Sequence, residues 1–183
     1  MDSFSSGKHH VTRHGNIFAI LFDLVDREKK ELILANVLHN PNIPAITTPY
    51  FKFYEMDAFC RMGCLDEVLH QIKAYWGGML ERGAVTFWEE YDPQVPQEKQ
   101  YDMYGDKFGK SLCHAWSASP IYLLGKYFVG LEVTDAQKGK YELHPHLKMF
   151  SHLDCTLPIG KKDIRVQWDG ENIEIQENAV HME

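Results

Sequence analysis

The hydrophobic period of this chain changes once, and that change limits what it can fold into. From Thr12 to about residue 129 apolar side chains recur at helical spacing, and after Gly130 they alternate. Such a sequence reads as a helical part followed by a β part. The clearest helix carries Leu65, Val68, Leu69, Ile72, Trp76, Met79 and Leu80 on one stripe. Gly77-Gly78 weakens its last turn by about 1 kcal/mol per glycine, so close packing or a bend is expected there, and Gly83 ends it.

Upstream, Ile17, Phe18, Leu21, Leu24 and Val25 define a first helix with Thr12 as its cap. Asp26 caps a second helix, expected to carry Leu32, Ala35 and Asn36 toward the core. Thr48-Pro49 opens a third, with proline where its missing N–H costs nothing. Phe51, Tyr54, Glu55, Ala58 and Met62 line one face of it. A fifth helix is expected over about 112–128, kinked or restarted at Ser119-Pro120. In the β part, residues 140–145 read as a strand. Residues 163–168 and 171–176 read as a hairpin turning at Asp169-Gly170. The expected division is therefore a helical domain over 1–129 and a β domain over 130–183. About four strands are too few for a well-covered sandwich, which marks the β domain as incomplete.

Composition excludes several function classes. With 44% hydrophobic and 25% charged residues the chain is globular in character. A net charge of −7, with scattered lysines and arginines, argues against nucleic acid and anionic membranes as partners. No apolar run is long enough to span a bilayer, and the N-terminus lacks a signal pattern, so a cytoplasmic location is the expectation. The four cysteines then read as reduced thiols. Cys60 and Cys64 share a helix face, but no further ligands stand at metal-site spacing. His9-His10, His144 and His146 read as surface residues. Nothing calls for a metal or an organic cofactor.

Between the fourth and fifth helices lies a long loop-rich stretch from Val85 to Lys110, the kind of connection that carries function. Its core is the run Thr86-Phe87-Trp88-Glu89-Glu90-Tyr91-Asp92-Pro93. Paired carboxylates beside an indole suit sugar chemistry, because rings stack on the C–H face of a pyranose and carboxylates move protons. A solvated acidic turn with a buried Trp explains the same run structurally. If the segment is extended, Glu89 and Glu90 point to opposite faces and only one can serve a site. Trp76 and Trp116 read as core residues and His14 as a structural histidine, while Tyr101 and Tyr104 suit loop and site roles alike.

Five segments occur in order: 11–22 (VTRHGNIFAILF), 46–55 (ITTPYFKFYE), 75–79 (YWGGM), 86–92 (TFWEEYD) and 111–120 (SLCHAWSASP). Together they make the chain resemble the C-terminal part of bacterial α-L-rhamnosidases of glycoside hydrolase family 78. That resemblance implies a mainly α fold of (α/α)6-barrel-type helical hairpins, here a partial barrel, followed by a small antiparallel β domain. It implies inverting hydrolysis of terminal α-L-rhamnose, with Glu89 as general base, His114 contacting the sugar and Trp88 walling the pocket. Tyr104 is the further candidate for substrate binding. The family's upstream acid segment has no match here, and neither Asp92, Glu55 nor Asp102 sits in a motif that marks a proton donor. The expectation is a fragment carrying the base side of the site, inactive or weakly active alone. A rhamnose-containing glycoside is the implied ligand, and the open apolar face of a partial barrel implies an N-terminal partner chain or self-association. The alternative is a non-catalytic glycan-binding module, or a remnant without a ligand.

Overall fold

The structure is a computed structural model, and it describes residues 10–179. The chain divides into two compact units, with the boundary between Pro120 and Ile121. A helical part and two small antiparallel sheets account for its elements.

In the first unit, α1 (Arg13–Leu21) is followed by α2 (Arg27–Ile33), α3 (Pro49–Arg61) and α4 (Leu65–Glu81). The Asp26 carboxylate accepts from the Lys29 N–H at 2.9 Å and caps α2 as expected. Thr12 stands at the N-cap of α1 without a side-chain cap bond. A wider turn, Leu34–Leu38, ends α2, closed by an i→i+5 bond from His39 N–H to Leu34 O. That turn brings Val37 and Leu38 inward, and it corrects the expected face, since Leu32, Ala35 and Asn36 are exposed. Leu24 is exposed as well, because α1 ends at Leu21.

The helices alternate in direction. Arg13, at the start of α1, donates to Leu38 O at the end of the α2 turn, so these two are antiparallel. His14 meets Phe51 near the start of α3, while Arg61 at its end donates to Leu21 O, so α1 and α3 run parallel. Tyr75 near the end of α4 donates to Thr47 O just before α3, which makes α3 and α4 antiparallel. Two consecutive helical hairpins result; a closed ring of helices is not formed by the described residues. On α3, Glu55 is only 1% exposed. It is held between Arg13 at 2.6 Å and Lys52 at 2.8 Å. Of the α4 stripe, Val68, Leu69, Trp76 and Met79 are buried, Leu65 and Ile72 are half-buried, and Leu80 faces solvent. Gly78 is tight: a Cβ there would stand 2.5 Å from the Tyr91 hydroxyl, whereas Gly77 faces open space.

The fifth helix differs from expectation. Residues 112–114 are not helical, Ala115–Ser117 form a single 3₁₀ turn, and α5 spans Ser119–Leu123 with a second i→i+5 turn over Leu124–Phe128. Proline fits early in a helix and not in its interior, so Pro120 marks a start.

Among the described residues the second unit holds five strands. β1 (Leu131–Asp135) pairs with β2 (Lys140–Leu143), and β3 (Leu153–Ile159), β4 (Lys162–Trp168) and β5 (Ile173–Ala179) form an antiparallel meander. β1 and β3 escaped the sequence reading. Val129, Leu147, Ile159, Ile164 and Val166 make its core, with Leu131, Tyr141, Leu143 and Trp168 against it. Gly130, at φ +73°, lets the chain turn into β1; a Cβ there would meet His144 O at 2.0 Å. The β4–β5 turn is longer than expected. Trp168 pairs with Ile173, leaving four loop residues in which Asp169 Oδ1 accepts from the N–H groups of Glu171 and Asn172.

His10, His144 and His146 are exposed, and His9 lies outside the described residues. None of the four cysteines forms a disulfide. Among the described residues no group of three His, Cys, Asp or Glu side chains could hold a metal ion, and no helix is long and apolar enough to cross a membrane.

Candidate functional site

The site is made by two irregular segments of the first unit held together by hydrogen bonds. Glu89 N–H donates to Ser111 O at 2.9 Å, and His114 N–H donates to Phe87 O at 2.8 Å. The Thr86 hydroxyl also donates to Leu112 O. These bonds bring the acidic run against residues 111–114, so that Glu89 and His114, far apart in sequence, meet.

The contacts of the run then separate its two glutamates. The Glu89 carboxylate turns toward the neighbouring segment, while Glu90 accepts from the Thr47 hydroxyl at 3.1 Å on the other side. Trp88 is 2% exposed and packs edge-on against Tyr101 at 5.6 Å. Beyond the run, Asp92 Oδ1 accepts from Gln94 N–H, and Tyr91 packs edge-on to Tyr75.

Glu89 is 6% exposed, and each oxygen has a donor. Oε1 accepts from the Tyr104 hydroxyl at 2.8 Å and Oε2 from the Ser111 N–H at 3.0 Å. These bonds, helped by the nearby His114 and Lys110, hold its carboxyl below the usual range, burial opposing them. The same bond raises the Tyr104 phenol, which therefore stays a donor. An ionised carboxylate offers about four lone-pair sites, so Glu89 is fixed in place and still able to accept from a water or a sugar hydroxyl. His114 Nδ1 lies 4.0 Å from Oε2. Glu89, Tyr104 and His114 thus converge.

Trp116 corrects the sequence reading: it is 43% exposed instead of buried, with its ring 4.1 Å from that of His114 and 5.5 Å from Tyr50. Trp76 is buried as expected and donates to Ser117 O at 2.8 Å. The open ring on the Glu89 carboxylate is that of Tyr104, while the open Trp116 ring stands beside His114 and meets Tyr50 of α3. The position of Trp116 depends on the Ser111–His114 segment, and a helix expected to begin at 112 hid it. The Ser111 N–H was missed for a different reason, since a backbone donor has no residue signature. Of the other carboxylates considered, Glu55 is locked between Arg13 and Lys52, and Asp102 is exposed.

No family model matches the chain, and no curated protein matches it. Among solved structures, the crystal structure of a GH78-family rhamnosidase of Bacillus sp. GL1 superposes with a TM-score of 0.75 over 94% of this chain, at 22% identity. The chain spans 18% of the length of that protein. The likeness is one of fold: a helical part with a small β domain is shared with part of a glycoside hydrolase.

Proposed function

We propose that this chain carries the general-base side of an α-L-rhamnosidase-type site, acting on a rhamnose-containing glycoside by inversion. The observation that carries this reading is Glu89, a buried carboxylate kept ionised by Ser111 and Tyr104 beside His114. In such a reaction the carboxylate takes a proton from water as its oxygen attacks the anomeric carbon, and the glycosidic oxygen leaves on the opposite face with a proton from an acid. A positioned base contributes about 10²–10⁴ in rate. His114 is suited to a hydroxyl of the bound sugar. Glu55 and Asp92 are engaged elsewhere, which supports a chain that supplies the base and takes its acid from another segment, an N-terminal partner chain or a second copy included.

The test is release of p-nitrophenol from p-nitrophenyl α-L-rhamnoside by the purified chain beside Glu89→Gln. Turnover lost in the variant supports the full assignment. Turnover equal in both removes Glu89 from the reaction. Inactivity of a folded parent is what a half-site without its acid predicts, and it fits as well a second reading, a glycan-binding module without chemistry. The exposed ring of Trp116, between His114 and the exposed ring of Tyr50, suits it, because a sugar can stack there without an acid. Saturable binding of L-rhamnose, weakened by Trp116→Ala, would distinguish that module from a remnant with no ligand.

A further inference from the structure

Tyr104 has a left-handed backbone, φ +56°, and Gly105 follows at φ +82°. Met103 and Asp106 close this turn by exchanging N–H···O bonds of 2.9 Å each. A two-residue hairpin turn with positive φ at both central positions is normally filled by Asn-Gly, and a bulky aromatic in the first place is an outlier. The shape is enforced from beneath. A Cβ on Gly109 would lie 2.2 Å from Met103 O, so only glycine permits this approach. Burial does not account for the aromatic, since Tyr104 is 79% exposed. What the turn does achieve is a phenol hydroxyl 2.8 Å from Glu89 Oε1. An uncommon backbone state that aims a side chain at a buried carboxylate points to function.

We propose that Tyr104 is a positioning residue, whose hydroxyl the left-handed turn holds on Glu89 Oε1 while the Ser111 N–H holds Oε2, leaving the remaining lone pairs open to a ligand. This goes beyond a sugar-contacting role for Tyr104 and rests on reading Glu89 as the functional carboxylate.

The experiment titrates Glu89 in the ligand-free full chain by ¹³C NMR of glutamate-labelled protein, with Glu89→Gln identifying the resonance. Parent, Tyr104→Phe and Gly105→Ala are compared, and circular dichroism checks that each is folded. The Glu89 midpoint is expected to move upward in Tyr104→Phe, which loses only the donor. It is expected to move upward also in Gly105→Ala, which keeps the phenol and disturbs the turn. Superimposed parent and Tyr104→Phe titrations would overturn the proposal, and a Gly105→Ala curve on the parent's would overturn the part given to the turn. Because no substrate is present, absent rhamnoside turnover leaves this readout unchanged and bears on the catalytic reading alone.

Discussion

Glu89 and Glu90 are neighbours with the same side chain and different fates, decided by the segments that each carboxylate meets. Glu90 meets a single hydroxyl, that of Thr47, whereas Glu89 gains a backbone N–H and a phenol. Those donors depress the Glu89 value, and the sign of the linkage follows. Its stabilisation is complete above the unfolded carboxylate value of about 4.3 and is lost as the pH falls through the lower folded value. The stability gap between the parent and Glu89→Gln, from urea melts at successive pH, is therefore expected to shrink below about pH 4. A gap constant down to pH 2 would show that these bonds do not favour the ionised form. The run itself announced a carboxylate site, but choosing between the two glutamates by contact required Ser111 and Tyr104, which lie far along the chain.

At the scale of elements, α4 shows what periodicity reveals and where it stops. Its stripe is legible from Leu65 to Met79, yet nothing local separates Gly77 from Gly78. Only the fold sets Tyr91, itself 4% exposed, against Gly78. Gly77→Ala is expected to raise stability by about 0.5–1 kcal/mol, the helix-propensity gain. Gly78→Ala is expected to lower it by about 1–3 kcal/mol through overpacking. Equal effects in thermal melts would contradict the assigned packing. At the other end of the scale of legibility, Asp26 is a cap in sequence and in structure, and Asp26→Ala is expected to cost about 1 kcal/mol in the same melts. The β4–β5 turn shows the opposite case. Asp-Gly suggested a two-residue turn, but the Asp169 carboxylate organises the next N–H groups into a longer loop.

At the scale of the whole molecule, each unit has its own core. In the β unit Ile164 and Val166 are fully buried, so Ile164→Ala is expected to cost about 2–5 kcal/mol. Hydrogen exchange should then show lost protection across β3, β4 and β5; unchanged protection there would mean that this core does not stabilise the meander. In the helical unit Phe22, Leu80, Val85 and Phe108 are more than half exposed, as is Leu24. If these surfaces meet another chain, as proposed for a site that borrows its acid, sedimentation velocity should show association growing with concentration. A monomer at all concentrations would count against self-association.

The sequence alone determined what depends on neighbours in the chain. Period separated helical from β segments, Asp26 and Pro49 marked helix starts, and the order of its motifs pointed to the glycosidase fold with which the structure aligns. Tertiary structure decided what depends on residues distant in sequence. It turned Glu89 to Ser111 and Tyr104, left Trp116 open beside His114 while burying Trp88, and made Gly78 tight while leaving Gly77 open. The reason is physical: helical and strand periods and caps are set within a few residues, whereas a carboxylate's donors and a ring's exposure depend on how remote segments meet.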